Sequence, residues 1–219
     1  MAVWSRHKFH HLVDGVWASS APVDAVLETQ QFMRNTANTI TSIGGADCTQ
    51  IIANAFRQID DAVRLRNTSH FEERFRLCSP VDLDDQDDIS RLFFGIASDI
   101  GREFLMRANL KDVEEKCNII RSHDDPENPI EALALWFVDV FHANTSCLNY
   151  NNTAYLENFK QEAWDTPSTS TGLRQNFWLQ CTQLGQFETS GIGDGHVFGW
   201  RFEFDFFQRS CANVFDRNL

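Results

Sequence analysis

The sequence predicts a mostly α-helical protein that is stabilised by disulfides. Apolar residues recur at intervals of three and four along several successive stretches, the spacing that places them on one face of a helix. Only one short stretch, near the N-terminus, has the composition of a buried strand. The six cysteines include no Cys-x-x-Cys pair and no cysteine–histidine spacing suited to zinc, so disulfides are the better interpretation.

The first 23 residues differ in character from the rest. Residues around Trp4 and Phe9 suit a short amphipathic helix, whereas residues 13–18 suit a buried strand. A helix that leads into a buried strand indicates an α/β fragment. We therefore expect a short α/β start, 1–23, followed by a helical block, 24–219.

The helical block is divided by its apolar stripes and its breakers. Residues 23–46 have a mixed pattern that ends at Gly44-Gly45, and Ser79-Pro80 ends a helix because proline cannot continue the hydrogen-bond ladder. Pro129 introduces the most apolar stretch. Helices are expected at 48–65, 71–77, 89–106, 110–120, 130–142, 154–164 and 204–215. Residues 165–172 read as a polar loop, and 188–199, with four glycines, as irregular.

Residues 82–88 contain five aspartates and raise the question of a calcium loop. They lack the glycine at the sixth position and the glutamate at the twelfth that an EF-hand needs. Carboxylates placed just before Ile89 instead suit the positive end of a helix dipole. We expect no metal here.

The stretch 173–187 contains many large apolar residues in a short segment. Phe177, Trp178 and Leu179 precede Cys181, and Gly185 follows. The residue types suit a core helix that ends at Gly185, and they also suit the wall of a pocket. Composition alone leaves both interpretations open.

The net charge bears on which partners the protein can bind, and the sorting signals bear on its cellular compartment. A net charge of −12 repels phosphate backbones and anionic lipid, so neither nucleic acid nor a membrane is expected as a partner. The N-terminal residues lack the apolar core of a signal peptide, which taken literally indicates a cytosolic protein. Paired cysteines and three glycosylation sequons, at Asn67, Asn144 and Asn151, indicate the secretory pathway instead. A signal peptide would then lie outside this chain.

Motifs for catalysis within the chain are weak. No Gly-x-Ser-x-Gly nucleophile turn occurs, and the Ser5-x-x-Lys8 spacing has none of its companion motifs. The seven histidines are scattered, and the glycines at 191, 193 and 195 lack the lysine of a phosphate loop. We expect neither a metal nor a cofactor.

Five short motifs nevertheless follow one another along the chain in a distinctive order and spacing. They are Trp4-x-Arg6-x-Lys8-Phe9, Ser19-Ser20-Ala21-Pro22-Val23, Leu77-Cys78-Ser79-Pro80, Cys181-Thr182 and Cys211-x-x-Val214-Phe215. Over essentially the whole chain this pattern resembles the serine exopeptidases that include prolylcarboxypeptidase, dipeptidyl peptidase II and thymus-specific serine protease. The resemblance implies a disulfide-linked helical cap domain inserted in an α/β-hydrolase fold, of which 1–23 is a remnant. It also implies the disulfide pairs Cys48–Cys117, Cys78–Cys147 and Cys181–Cys211.

The same resemblance assigns the functional residues. In such enzymes the nucleophilic serine lies just before residue 1 of this chain, and the acid and histidine lie beyond residue 219, so no catalytic residue is expected here. Substrate contacts are expected from Phe177, Trp178, Gln183 and Asp194. Gln183 stands where many relatives have glutamate, and Asn176 stands where they usually have tryptophan, so the substrate preference is expected to differ.

The implied activity is removal of terminal residues from short peptides by a serine nucleophile, in a lysosome or outside the cell. The partner would be a peptide substrate of the full-length parent, and a homodimer is left open. The chain by itself would be inactive. The competing hypothesis is a non-catalytic helical interaction module, or an incomplete gene product.

Overall fold

The computed structural model describes residues 2–19, 21, 23–106, 109–141, 145–190 and 196–216. Eleven α-helices account for most of these residues. They are α1 Ala2–Lys8, α2 Gln30–Thr39, α3 Ala46–Arg64, α4 Ser69–Arg74, α5 Gln86–Gly101, α6 Leu110–Ser122, α7 Pro129–Phe141, α8 Asn152–Lys160, α9 Pro167–Ser170, α10 Leu173–Leu179 and α11 Phe204–Phe215. Three π-helical turns, Ile40–Gly44, Arg102–Met106 and Gln180–Leu184, directly extend α2, α5 and α10.

The mostly α prediction is therefore confirmed. Within the described ranges the β-structure is limited to two isolated bridges, Glu28 to Phe187 and Leu77 to Leu148. Every helix that the sequence predicted from residue 48 onward has a counterpart, and the last, 204–215, has the predicted bounds. The polar loop predicted at 165–172 contains the one-turn helix α9.

The buried strand predicted at 13–18 is wrong. Those residues form no regular structure, and the side chain of Trp17 is 90% exposed. A strand needs a neighbour for its backbone hydrogen bonds, and no backbone pairing of 14–19 occurs among the described residues. The chain rejoins the helical block at Val26 and Leu27, whose carbonyls accept hydrogen bonds from the amides of Gln186 and Phe187 at 2.7 and 3.1 Å.

Helix α2 lies in a region whose sequence pattern is mixed. Its asparagines and threonines have low helix propensity, so tertiary contacts must stabilise it. Thr36 is fully buried and its hydroxyl donates to the carbonyl of Phe32 at 2.9 Å. The Phe32 ring lies where a side chain on Gly101 would otherwise be, because a Cβ there would come within 2.5 Å of it. Packing of α2 against α5 thus outweighs local preference.

The hydrophobic core lies between α3, α5, α6 and α7. Its largest fully buried side chain is Trp136, whose ring packs 5.1 Å from that of Phe137 and 5.4 Å from that of Phe104. The apolar stripe predicted for α3 is buried along its length, from Cys48 to Val63. The core therefore lies where the apolar periodicity indicated.

Three disulfides tie this core together, and they join the expected pairs: Cys48–Cys117, Cys78–Cys147 and Cys181–Cys211. The first links α3 to α6, and the third links the π-helical turn after α10 to α11. The first two are interleaved, since Cys78 lies inside the loop closed by Cys48–Cys117 and Cys117 lies inside the loop closed by Cys78–Cys147. The two disulfides therefore each close a long loop, and the two loops overlap over residues 78–117.

The aspartate-rich run 82–88 serves the start of α5, as the sequence indicated. Asp85 caps the helix by accepting from the Asp87 amide at 2.8 Å. Asp88, 3% exposed, accepts from the amides of Asp82 and Asn152 at 2.8 and 2.7 Å. It therefore joins the run to the beginning of α8.

The two glycosylation sequons that the structure describes have different surroundings. Asn67 is exposed just beyond α3. Asn151 caps α8, and its side-chain nitrogen, the atom a glycan would modify, donates to Asp88 at 3.2 Å. Asn144 lies outside the described residues. Of the two that are described, Asn67 is the more accessible to glycosylation.

None of the described helices has the length and apolar character needed to span a membrane.

Candidate functional site

The segment formed by α10 and its π-helical turn separates two cavities. Its predicted end at Gly185 is confirmed, because the helical structure stops at Leu184 and Gly185 has a φ of 66°. A Cβ at Gly185 would lie 2.6 Å from the carbonyl oxygen of Val26. Glycine is required there both by the backbone conformation and by the close approach of the N-terminal segment.

Phe177 and Trp178 differ in exposure and line different cavities. Phe177 is 8% exposed, and its ring packs 5.0 Å from Phe159 and 5.6 Å from Phe215. Trp178 is 38% exposed. Successive helical residues are rotated by about 100°. Phe177 therefore lies in the core, as the first interpretation predicts, whereas the role of Trp178 in a substrate pocket stays a prediction.

Trp178 lines an open concave region of about 380 Å³, which we call the Trp178 groove. Its lining comprises Glu162, Trp164, Thr169, Arg174, Gln175, Trp178, Leu179 and Phe215. Trp164, 85% exposed, stands at its edge. Arg174 is held in place by a 2.8 Å ion pair with Glu162 and lies 5.0 Å from the centre of the Phe215 ring. The groove offers aromatic and aliphatic surface with one paired guanidinium.

The other two predicted substrate residues are not in this groove. Gln183 lies exposed in the π-helical turn and lines neither cavity. Asp194 belongs to the stretch 191–195, outside the described residues. Of the predicted set, Trp178 contributes to the groove and Phe177 to the cavity on the other side.

That second cavity, about 260 Å³, was not foreseen from the sequence, and we call it the Arg91 cavity. It is lined by Arg91, Phe94, Gly95, Ser98, Asp99, Arg102, Tyr155, Phe177, Gln180, Gln186, Phe187, Glu188, Phe206, Phe207 and Ser210. Arg91 stacks on Tyr155, with its guanidinium carbon 3.7 Å from the ring centre. Cation and aromatic face attract each other at this distance.

Burial perturbs the charged groups of the Arg91 cavity. It lowers the pKa of the Arg91 guanidinium and raises that of the Asp99 carboxyl. The rise at Asp99 is opposed by a hydrogen bond from the Tyr150 hydroxyl at 2.9 Å and by Arg102 at 3.1 Å. Burial also raises the pKa of Glu188 to about 7, against a smaller opposing effect of Arg102. A carboxyl group that titrates near neutrality therefore lies in a cavity with two arginines.

Glu188 is expected to make the protein more stable in acid. Its pKa is 4.5 ordinarily and about 7 in the folded chain, so the folded state holds this proton more tightly than the unfolded state. Stability falls as pH rises from about 4.5 to about 7 and then levels, by about 3 kcal/mol in all. Urea unfolding of wild type and Glu188→Gln from pH 4 to 8 measures this, because the variant lacks the group. Parallel curves for the two proteins would contradict the assignment.

Comparison with known proteins identifies the class. The family model Serine carboxypeptidase S28 matches residues 1–219, and the chain therefore belongs to that family of serine peptidases. Mouse thymus-specific serine protease is 30% identical over 88 residues, which are 38% of this chain and 17% of that protein. Human thymus-specific serine protease is 22% identical over 201 residues, 86% of this chain and 38% of that protein. The chain spans less than half the length of the curated relatives that it matches.

Proposed function

We propose that this chain forms the helical cap of a serine-type exopeptidase with an α/β-hydrolase fold, and that the Trp178 groove is one wall of its substrate site. The observation that carries the proposal is the position of Trp178, whose ring is half-buried on a short, disulfide-anchored segment and faces an open apolar groove. An aromatic wall of this kind suits a proline or another small apolar side chain of a short peptide.

The N-terminal segment supports the inserted-cap part of the proposal. Leu12, Trp17, Val23 and Leu27 are each more than half exposed. Large apolar side chains clustered along one segment mark a surface that packs against more protein. In the proposed enzyme these residues would contact the catalytic domain, which supplies the serine, acid and histidine.

The compartment we propose is a lysosome or the cell exterior. Three disulfides are typical of proteins that fold in an oxidising environment. Asn67 offers an exposed glycosylation acceptor. The elevated pKa of Glu188 supports a preference for acidic surroundings.

Trp178→Ala in the complete enzyme should impair catalysis more than stability. We expect kcat/KM toward short peptides to fall at least about tenfold, equivalent to roughly 1.4 kcal/mol, because the apolar wall is lost. The matched control is Phe177→Ala, which removes a buried neighbour and should cost about 3–5 kcal/mol of stability. The measurements are kinetics beside thermal melts. A Trp178→Ala enzyme that loses stability and activity in parallel, as the control does, would return Trp178 to a structural role.

The 219-residue chain on its own should be catalytically silent. It contains no Gly-x-Ser-x-Gly turn to hold a nucleophile and form part of an oxyanion hole. Incubation with a fluorophosphonate probe should therefore give no stoichiometric label, whereas the complete enzyme should be labelled. Labelling that disappears when one serine of this chain is replaced would overturn this part of the proposal and leave the role of the groove to be tested separately.

A further inference from the structure

Of the two arginines that line the Arg91 cavity, Arg102 is paired with a carboxylate and Arg91 is not, among the described residues. Asp99 forms an ion pair with Arg102 at 3.1 Å and also accepts from the Tyr150 hydroxyl. Arg91 forms no hydrogen bond or ion pair with any described residue, and its Nε is buried. Stacking on Tyr155 fixes the plane of the guanidinium without satisfying its donors. An arginine held in this way matches a carboxylate with two parallel hydrogen bonds.

Glu188 provides the opposite charge on the same cavity. Its side chain makes no hydrogen bond or ion pair with the described part of the chain. Its position is fixed from both sides, because Phe187 pairs with Leu27 and Thr29, and Ser190 donates to the carbonyl of Phe202 at 3.0 Å. A carboxyl group without a partner, on a backbone segment that is held on both sides, suits an ammonium group.

The remaining wall is aromatic. Five phenylalanines contribute to it: Phe94, Phe177, Phe187, Phe206 and Phe207. Several of these rings contact one another, as Phe94 and Phe207 do at 5.0 Å. At about 260 Å³ the space is smaller than the usual 300–1,000 Å³ of sites for drug-sized ligands. It therefore limits a ligand to about the size of one amino acid.

We propose that the Arg91 cavity binds a free amino acid with an apolar side chain, with its carboxylate on Arg91, its ammonium on Glu188 and its side chain against the phenylalanines. This site is separate from the Trp178 groove, since the two have no lining residue in common. The proposal does not depend on the proposed peptidase function. It concerns binding and includes no chemical step.

The test is calorimetry on the disulfide-intact chain at pH 8, with three matched probes. They are L-phenylalanine, 3-phenylpropionate, which lacks the amine, and 2-phenylethylamine, which lacks the carboxylate. We expect L-phenylalanine to bind most tightly and each of the other two to bind at least tenfold more weakly. Equal affinity for all three, or no binding of L-phenylalanine, would overturn the proposal.

Substitutions of Arg91 and Glu188 test which residue binds the carboxylate of the ligand and which binds its ammonium group. Arg91→Gln should weaken L-phenylalanine at least tenfold and leave 2-phenylethylamine unchanged, whereas Glu188→Gln should weaken L-phenylalanine and leave 3-phenylpropionate unchanged. Arg57→Gln, on the exposed side of α3 and in the lining of neither cavity, is the control and should bind as wild type does. Thermal melts verify folding, and Arg91→Lys serves if Arg91→Gln is unfolded. An effect of Arg57→Gln equal to that of Arg91→Gln would overturn the assignment to this cavity.

Discussion

Replacing Cys48 and Cys117 together by alanine is expected to lower the free energy of unfolding by about 4 kcal/mol. The disulfide joins residues 69 apart in sequence, and closing so long a loop restricts the unfolded chain strongly. Both cysteines are fully buried between α3 and α6, so replacing them by alanine also removes buried sulfur atoms from the core. Urea unfolding monitored by circular dichroism measures the change.

The control for this pair is Cys181→Ala with Cys211→Ala. That disulfide spans 30 residues, and the same chain-entropy relation gives a loss smaller by about 0.7 kcal/mol. A loss below about 1 kcal/mol for the long-range pair would contradict the expectation. So would non-reducing peptide mapping of the wild type that finds Cys48 joined to any cysteine other than Cys117.

Asp88→Ala should destabilise the protein by about 4 kcal/mol, because it leaves several donors without an acceptor. The amides of Asp82 and Asn152 and the side-chain nitrogen of Asn151 all donate to this one carboxylate. Its 3% exposure means that water cannot readily replace it. Chemical denaturation of the purified variant gives the value.

Asp84→Ala is the matched control, since it lies in the same acidic run. The Asp84 side chain is 84% exposed and pairs with Arg66 at the surface, an interaction that contributes about 0–1 kcal/mol. Similar losses for the two variants would mean that the run acts through its total charge. A large difference, with Asp88 dominant, would support its role as a link between α5 and α8.

Helices with a strong apolar stripe could be predicted from sequence, because burial of that stripe is what stabilises them. Helix α3 and the last helix, α11, are examples. Helix α2 could not be predicted, since its sequence pattern is mixed and it packs against α5 through a contact of Phe32 with Gly101, which is distant in the sequence. The strand expected at 13–18 failed for a related reason, because a strand forms only where a neighbouring strand accepts its hydrogen bonds.

The candidate sites show the same limit. Composition identified the stretch around Phe177 and Trp178 as important, but only the helical rotation between them assigns one to the core and one to a groove. In the Arg91 cavity, Arg91, Ser98 and Arg102 recur at helical spacing on α5 and its π-helical turn. In a sequence that spacing is typical of a solvated face. It becomes a cavity because Tyr155 and Glu188 arrive from later parts of the chain.

The interleaving of the first two disulfides has a consequence for biosynthesis. If the chain is made in an oxidising compartment, as proposed above, Cys48 and Cys78 emerge from the ribosome before either of their partners, Cys117 and Cys147. Among the six cysteines of this chain, the first pairing that becomes available, Cys48 with Cys78, is therefore a wrong one. Correct maturation requires either that the first thiols stay reduced until α6 has been made, or that an isomerase reshuffles them afterwards. Yield from a heterologous host should accordingly depend on disulfide isomerase activity more than on oxidising power.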